Sequence, residues 1–349
     1  MYKYNEVMEQ ILNDLTALAP HERVASRKAL CMKYDVTRTT VDRAISELID
    51  KKYLYAKVGS GTFVADQTQY DTKISCWGVI LPNVANQVYP DMLEGISNFA
   101  AKHNINVIIC NSDNNNDKEL AHISRLMQSK VEGYIIAPCI STETDYRVYR
   151  QLQQNKIPFV FCNRYVDGVK APYISSNSFF GGYLATEHLI KRGYTHIAFV
   201  AKDRYKSSIE RFSGYCAALH RYNLELDHNL IITDYENEAD IKDMLQRYKP
   251  DAIFAFNDTI ASAIYSILDQ LGLRAGRDIS LIGYDNSRIC NMLPVKLTSV
   301  SYMAYEIGYK AASVLYDMQV NKLYPRPDII LFEPKIIERK SCVSDSKRI

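Results

Sequence analysis

The feature that most constrains this 349-residue chain is a repeated alternation of short apolar runs and amphipathic segments from about residue 74 onward. In the first round, segments with helical spacing separate the apolar runs, which lie at 76–81, 107–110, 134–137 and 159–162. A second round of the same kind extends over residues 181–283. This rhythm predicts an α/β fold in which a doubly wound parallel sheet is built twice. Two such halves predict a ligand cleft between them, because these sheets bind at the carboxyl ends of their strands.

The first 66 residues follow a different pattern, which is typical of a winged helix-turn-helix. Helices are predicted over residues 5–18 and 24–34, from the spacing of their apolar residues. Thr37 is suited to cap a third helix that ends at residue 49. Two short strands around the turn Gly59-Ser60-Gly61 then predict a β-hairpin.

The third helix and the hairpin are suited to contact double-stranded DNA. The amino end of a helix that is apolar on its inner face can enter a major groove, where hydroxyls meet phosphates and Arg38 reaches guanine edges. A hairpin tip made of glycine and serine lets the backbone approach a minor groove or a phosphate, and Lys57 adds positive charge. The local pattern therefore predicts DNA as a partner.

Three separate motifs resemble the DNA-binding domain of the gluconate-repressor (GntR) family: Arg27, the run 37–41 and the run 59–64. The resemblance implies that an arginine, a hydroxyl–arginine pair and a glycine wing touch operator DNA. The candidate DNA-binding residues are Arg27, Thr37, Arg38, Thr39, Thr40, Arg43, Lys57, Gly59 and Gly61. The chain departs from the family at Asp42, where a basic residue is usual, which suggests an altered operator preference. The alternative is a small helical domain with an ordinary solvated face.

Amides, carboxylates, arginines and tyrosines follow the predicted strands of both halves. Such groups suit a polyhydroxylated or heterocyclic small molecule, since planar groups form paired hydrogen bonds and a tyrosine can stack on an apolar face. Asn and Asp at strand ends also cap helices, so the cap stays open as an alternative for each single residue. Their joint appearance at successive strand ends favours a cleft.

Residues 75–335 resemble the effector domain of the lactose/purine-repressor (LacI) family, most specifically in Asn257-Asp258 and in the run 278–285. The resemblance implies a two-lobed fold related to periplasmic sugar-binding proteins, which binds a sugar or a purine and pairs as a homodimer. By this resemblance the candidate effector-binding residues are Asn86, Tyr89, Asn163, Arg164, Arg211, Asn257, Asp258, Asp285 and Tyr302. Asn163 replaces the family's usual aspartate, and the winged helix replaces the family's own amino-terminal DNA-binding domain.

These patterns divide the chain into a DNA-binding domain, a polar linker and an effector-binding and dimerisation domain. The predicted boundaries are 1–66, 67–73 and 74–340. Within the last domain, one predicted lobe comprises 74–171 with 300–324, and the other comprises 172–297 with 325–340.

Composition excludes several classes of protein. Forty-two basic and forty acidic residues give a net charge of +2, which is too balanced to indicate nucleic acid by charge alone. The eight cysteines form no CxxC pair and the seven histidines have no zinc-ligand spacing, so neither a metal nor another cofactor is predicted. The chain has no signal-peptide pattern and no apolar run long enough for a bilayer, which predicts a cytoplasmic protein without a membrane partner.

The sequence therefore predicts a ligand-responsive transcriptional regulator. The resemblances imply a repressor of a carbohydrate-catabolism operon that is controlled by a small sugar-like effector. A purine- or nucleoside-responsive regulator is the first alternative. An enzyme acting on a sugar or nucleotide is a weaker alternative, because no GxGxxG, GxxxxGK[ST] or GxSxG motif is present. Asp258 and Asp285 could in principle be its paired acid and base. No catalytic residue is predicted, and a binding protein without regulatory action would leave the first 65 residues unexplained.

Overall fold

The computed structural model describes residues 3–15, 18–50, 53–57, 59–65, 75–129, 131–139, 146–201, 206–234, 237–321 and 328–343. The chain divides into two compact units, Met1–Ile74 and Ser75–Ile349. The predicted linker over residues 67–73 lies outside the described residues. The division at residue 74 is close to the predicted boundary between the domains.

The first unit is a bundle of helices followed by an antiparallel hairpin. Its elements are α1 (Lys3–Leu15), α2 (Arg27–Tyr34), α3 (Arg38–Asp50), β1 (Leu54–Lys57) and β2 (Gly61–Val64). The helix α2 begins after Ser26, whose side chain accepts a hydrogen bond from the Ala29 amide, and it ends at Asp35 in the left-handed conformation. Apolar residues of the helices and the hairpin share one core. This order confirms the predicted winged helix-turn-helix.

The first lobe of the second unit is built on a six-stranded parallel sheet. Its strands are β3 (Ser75–Leu81), β4 (Ile105–Asn111), β5 (Gly133–Ile136), β6 (Phe159–Cys162), β7 (Tyr173–Ser176) and β13 (Ile329–Phe332). The strand order is β13-β7-β6-β5-β3-β4. The helices that pack on this sheet are α4 (Tyr89–Lys102), α5 (Asn116–Gln128), α6 (Arg147–Gln154) and α12 (Ala304–Asn321). Every residue of β5 and β6 is buried, as expected for strands covered on both faces.

The second lobe repeats this design. Its strands are β8 (Ile197–Val200), β9 (Ile231–Ile232), β10 (Ala252–Ala255), β11 (Ser280–Asp285), β12 (Thr298–Ser301) and β14 (Lys335–Ile337). The strand order is β14-β12-β11-β10-β8-β9, and β14 alone pairs antiparallel, with β12. The helices of this lobe are α7 (Ser178–Ile190), α8 (Lys206–Arg221), α9 (Glu238–Tyr248), α10 (Asp258–Gln270) and α11 (Ile289–Met292). The two sheets confirm the predicted two-lobed α/β fold.

The lobe boundaries differ from the predicted ones where the chain crosses between the sheets. The prediction assigned residues 172–297 and 325–340 to the second lobe. The structure pairs β7 with β6 and β13 with β7, so both strands belong to the first sheet. The second sheet also extends through β12 to Ser301, past the predicted boundary at 297. Partners distant in sequence decide which sheet a short apolar strand joins, and local pattern does not contain that information.

The helices α7 and α8 approach so closely that only glycine fits at their contact. A Cβ atom on Gly182 would lie 2.1 Å from the carbonyl oxygen of Arg211. A Cβ atom on Gly214 would lie 2.0 Å from the carbonyl oxygen of Phe179. Any larger residue would force the helices apart, so this pair of glycines places the backbone of Arg211 against α7.

Candidate nucleic-acid interface and ligand cleft

The amino end of α3 presents the hydroxyls and the arginine that the sequence predicted. The Thr37 side chain accepts from the Thr40 amide at 3.4 Å, and the hydroxyls of Thr37 and Thr40 are 2.9 Å apart. Thr37, Arg38 and Thr39 are exposed, and the Arg38 side chain retains 81% of its accessible surface. The opposite face of α3 is buried through Val41 and its neighbours. The amino end of α3 therefore presents polar side chains to solvent and buries its apolar face in the core of the first unit.

The basic candidates of the first unit have partners of different kinds. The Arg43 guanidinium lies 4.2 Å from the centre of the Tyr4 ring. Arg27 donates from Nη1 to the Thr62 hydroxyl at 2.6 Å, and its Nε lies 3.3 Å from Oδ1 of Asp42. The other carboxylate oxygen of Asp42 lies 3.7 Å from Nε of Arg38. Asp42 thus sits between two candidate DNA-binding arginines.

One basic residue that sequence reasoning missed, Arg23, lies against the wing. Gly59 and Gly61 have positive φ angles of 75° and 121° at the turn between β1 and β2, and Lys57 just before it is exposed. A Cβ atom on Gly61 would lie 2.9 Å from Nε of Arg23, so the Arg23 guanidinium lies against the start of β2. Arg23 comes there because its segment pairs with β2, through a bridge between Arg23 and Phe63. No local sequence signal indicates this pairing.

In the first lobe, three predicted ligand residues form a single hydrogen-bonded cluster. Asn163 follows β6 with a φ of 62°, a left-handed conformation that asparagine tolerates. Its side chain donates from Nδ2 to the Tyr89 hydroxyl at 2.8 Å and accepts at Oδ1 from the Tyr302 hydroxyl at 2.7 Å. The Tyr173 hydroxyl donates to the Asn163 carbonyl oxygen at 3.1 Å. We call Tyr89, Asn163 and Tyr302 the amide–tyrosine cluster.

In the second lobe, Arg211 and Asp285 form an ion pair at the carboxyl end of β11, and their side chains keep only 4% and 10% of their accessible surface. Nη2 of Arg211 lies 3.5 Å from Oδ1 of Asp285, and Nη1 donates to the Phe256 carbonyl oxygen at 2.6 Å. The guanidinium lies 3.5 Å from the centre of the Tyr284 ring. Within the part of the chain that the structure describes, Nε of Arg211 is buried and has no hydrogen-bond partner. We call Arg211 and Asp285 the arginine–aspartate pair.

Burial determines the protonation of Asp285. Desolvation raises the pKa of Asp285 to about 7, although the Arg211 guanidinium opposes this shift. The residue has a φ of 101°, a strained conformation for a side chain other than glycine. Such strain persists only where the surroundings enforce it, and it is concentrated at functional sites. A titratable carboxylate with strained backbone is therefore available at the end of β11.

Asn257 and Asp258 have structural partners. Asn257 caps α10, where its Oδ1 accepts from the Ile260 amide at 2.9 Å. Asp258 is completely buried, and its oxygens accept from the Ser287 amide at 2.7 Å, the Ser299 hydroxyl at 2.7 Å and the Cys290 thiol at 3.1 Å. Desolvation raises the pKa of Asp258. The contact of Asn257 corresponds to the cap alternative, whereas Asp258 binds the segment after β11 and the strand β12.

The remaining first-lobe candidates lie at the rim of the strand ends. Asn86 is exposed in the turn before α4, and its Oδ1 accepts from the Val88 amide at 3.4 Å. Arg164 donates from Nη1 to Oδ1 of Asn114 at 3.0 Å. These positions leave Asn86 open to solvent and tie Arg164 to the loop after β4.

The two lobes touch each other across their strand ends. Lys206, the first residue of α8 in the second lobe, has its Nζ 3.6 Å from Oδ1 of Asp167 and 4.0 Å from the centre of the Tyr165 ring. Both partners follow β6 in the first lobe. Tyr302, which follows β12, also reaches Asn163. The carboxyl ends of the two sheets therefore face one another, as a cleft between lobes requires.

The described residues have neither a metal-binding cluster nor a membrane-spanning helix. No group of three or more His, Cys, Asp or Glu residues there could hold a metal ion. No helix among them is long and apolar enough to cross a membrane.

Both units of the chain are similar to known bacterial regulators. Residues 3–64 match the family model described as bacterial regulatory proteins, gntR family, and residues 186–342 match a periplasmic binding protein-like domain. The repressor PurR of Aliivibrio salmonicida is 31% identical over 271 residues, which are 76% of this chain and 80% of that protein. The chain belongs to the LacI family of transcriptional regulators. Its amino-terminal DNA-binding domain, however, is of the GntR type and not of the type usual in the LacI family.

Two further relatives of this LacI-family regulator cover its effector domain or its whole length. The arabinose metabolism transcriptional repressor of Halalkalibacterium halodurans is 26% identical over 360 residues, which are 97% of this chain and 96% of that protein. A LacI family regulator from Enterococcus faecium, solved with bound ribose, is 25% identical with a TM-score of 0.67, and the match covers 77% of this chain and 99% of that one. The predicted combination of a winged helix with a LacI-type effector domain is confirmed.

Proposed function

We propose that this regulator is a repressor of a carbohydrate-catabolism operon, controlled by a small sugar that binds between the lobes. The observation that carries the proposal is the arginine–aspartate pair. A buried N–H without an acceptor costs free energy, and a carboxylate beside it needs a donor. A sugar hydroxyl is both an acceptor and a donor, so one hydroxyl can satisfy Arg211 and Asp285 together.

A sugar fits this cleft better than a purine, which is the second candidate because of the resemblance to the lactose/purine-repressor family. A purine needs an open aromatic face for stacking. Among the described candidates, Tyr89 and Tyr302 are 1% and 2% exposed, and Asn163 engages both hydroxyls. The Tyr284 ring is covered by the Arg211 guanidinium. The name of the arabinose metabolism repressor and the ribose in the Enterococcus faecium structure also favour a sugar.

Repression without catalysis is part of this proposal. Asp258 and Asp285 would be the acid–base pair of an enzyme. Asp258 is 0% exposed and both of its oxygens accept hydrogen bonds from the protein, so this carboxylate is not accessible to a substrate proton. Asp285 alone gives a binding group rather than a pair of catalytic groups.

The proposed mechanism is a shift between an open and a closed cleft in a homodimer. The chain crosses between the lobes at residue 177, at 302–303 and at 333–334, and Met303 in the second crossing has a φ of 63°. A sugar that binds the closed form more tightly shifts the population towards it, by no more than its difference in affinity. In a dimer this movement changes the spacing of the two winged helices, which must match half-sites about 34 Å apart or a multiple of that distance.

Pairing of two chains is supported by the edge of the first sheet. The strand β4 is at that edge, and it exposes 39% of Ile108 and 47% of Ile109. An apolar edge strand is a liability unless something covers it, and a second copy of the chain would do so. Light scattering on wild type and on Ile109→Lys tests this, with a dimer and a monomer as the expected results.

A thermal-shift screen followed by a gel-shift assay tests the proposed function. The regulator is screened against pentoses, hexoses, sugar acids and purines, because a ligand that binds only the folded chain raises its melting temperature. The ligand found is then added to the regulator bound to the DNA upstream of its own gene. We expect a sugar to raise the melting temperature and to release the DNA. A shift with purines alone would favour the second candidate, and a sugar that leaves DNA binding unchanged would contradict the proposed control.

A further inference from the structure

A continuous polar network connects the wing with the third helix. Thr62 on β2 accepts from Arg27, which lies against one oxygen of Asp42 on α3, and the other oxygen lies against Arg38. Arg27 and Arg38 are the candidates for contact with phosphates and base edges. The Asp42 carboxylate therefore lies close to both arginines, and both arginines are candidates for contact with DNA.

The exposure of this network makes it easy to rearrange. The side chains of Arg27, Asp42 and Arg38 keep 30%, 51% and 81% of their accessible surface. Ion pairs that are exposed in this way are weak, so the arginines leave Asp42 whenever a better partner is near. The phosphates of DNA are such partners, whatever the base sequence. As a phosphate approaches the arginines, it also approaches the Asp42 carboxylate, which repels it.

We propose that Asp42 is a specificity-determining residue, which holds Arg27 and Arg38 away from non-operator DNA and releases them to the operator. Non-specific DNA offers phosphates alone, and repulsion by Asp42 cancels part of that attraction. An operator adds hydrogen bonds at base edges, which compensate for the loss of both ion pairs. The inference rests on the proposed function, because it requires that the chain binds an operator.

The alternative for Asp42 is direct recognition of a cytosine amino group. The geometry favours the paired role, since each carboxylate oxygen already has an arginine within 3.3 Å or 3.7 Å. The two roles predict opposite results. Removing a repulsive charge strengthens binding to all DNA, whereas removing a base contact weakens binding to the operator alone.

The experiment compares full-length wild type with Asp42→Asn by fluorescence anisotropy. One probe is a duplex that the wild type selects from a random-sequence library, and the other is a scrambled duplex of the same composition. Asp50→Asn is the matched control, because it removes the same charge from the exposed last residue of α3. Asp42→Glu keeps the charge and tests rescue. Circular dichroism checks that each variant is folded.

We expect Asp42→Asn to bind the scrambled duplex about fivefold more tightly, the upper range for exposed ion pairs, and to gain less on the selected duplex. The dependence of log K on log salt should become steeper by about one to two phosphate contacts, because two arginines are released. Asp50→Asn should leave the preference between the duplexes unchanged, and Asp42→Glu should restore most of it.

Two results would overturn the inference. If Asp42→Asn loses binding to the selected duplex alone, Asp42 is a base contact. If Asp42→Asn and Asp50→Asn have equal effects, the change in binding comes from the net charge of the protein and not from the position of Asp42. A wild type that selects no sequence at all would instead contradict the proposed function. The failure of the inference is thus distinct from the failure of the function on which it rests.

Discussion

The two lobes each bring a polar cluster to the carboxyl ends of their strands, and the clusters differ in how far the protein satisfies them. In the first lobe, the amide–tyrosine cluster uses both the donor and the acceptor of the Asn163 amide. In the second lobe, the arginine–aspartate pair leaves Nε of Arg211 without a partner among the described residues. A cluster whose hydrogen bonds are made within the protein stabilises the fold. A cluster with an unpaired buried donor contributes to the free energy of binding when a ligand supplies the missing acceptor.

This difference assigns the clusters different tasks. Tyr302 lies at a crossing between the lobes, so its bond to Asn163 connects that crossing to the first lobe. The arginine–aspartate pair lies on α8 and β11 inside one lobe. We therefore expect the pair to supply ligand affinity and the amide–tyrosine cluster to position the lobes.

The largest expected effect is that of Arg211→Ala. It should abolish the ligand-induced thermal shift, and it should lower the free energy of unfolding by about 3–5 kcal/mol because Asp285 stays buried without its partner. Denaturant unfolding and the thermal shift measure the two effects. Arg277→Ala is the matched control, because Arg277 is an exposed arginine of the same lobe. This control should change neither the thermal shift nor the free energy of unfolding. If Arg211→Ala does not fold, Arg211→Lys should fold and bind more weakly, because an ammonium lacks the planar fork.

The second effect concerns the pH dependence of ligand binding. A ligand hydroxyl that donates to Asp285 needs the ionised carboxylate, so affinity should fall by up to about tenfold per pH unit below the pKa of about 7 and be constant above it. Calorimetry at several pH values measures this, with Asp285→Asn as a pH-independent control. Affinity that rises on acidification would contradict the assigned donor direction.

The same titration changes stability in a defined direction. The pKa of Asp285 is raised from 3.8 to about 7 in the folded chain. Between those values the folded state binds more protons than the unfolded state, so the contribution of Asp285 to stability falls as pH rises through this window. Without ligand, Asp285→Asn should therefore show a smaller loss of stability than wild type between acidic and neutral pH.

An intermediate effect is expected for Asn163→Ala. The substitution removes the amide that hydrogen-bonds to the hydroxyls of Tyr89 and Tyr302, which should cost about 1–3 kcal/mol of unfolding free energy. Ligand affinity should change less than in Arg211→Ala, because Asn163 acts through the tyrosines. Abolished binding with unchanged stability would instead show that Asn163 contacts the ligand and would remove the distinction between the clusters.

The smallest effect is expected for Asn86→Ala, which tests the rim of the first lobe. Asn86 is exposed, and its side chain accepts a long hydrogen bond of 3.4 Å from the Val88 amide. Stability should stay within about 0.5 kcal/mol of wild type, as for ordinary surface substitutions. A large loss of ligand affinity would show that the first lobe also contacts the ligand. Ligand affinity would then not come from the arginine–aspartate pair alone.

The sequence by itself determined the kinds of element and their order. The apolar spacing of the helices, the cap at Thr37 and the glycines at 59 and 61 are local features, and local energetics decides where helices and turns begin and end. The positions of Arg211 and Asp285 near strand ends were also readable, since a strand that ends before a polar residue is visible in one stretch of sequence.

Only the tertiary structure decided which sheet a crossing strand joins and which polar groups remain available. The strands β7 and β13 entered the first sheet through pairings across more than 150 residues of chain, between Tyr173 and Ile329. Asp258 is used by Ser287, Cys290 and Ser299, and Arg23 reached the wing through β2. Hydrogen-bond satisfaction depends on neighbours that are distant in sequence, so a polar residue at a strand end becomes a clamp or a ligand group only after the chain has folded.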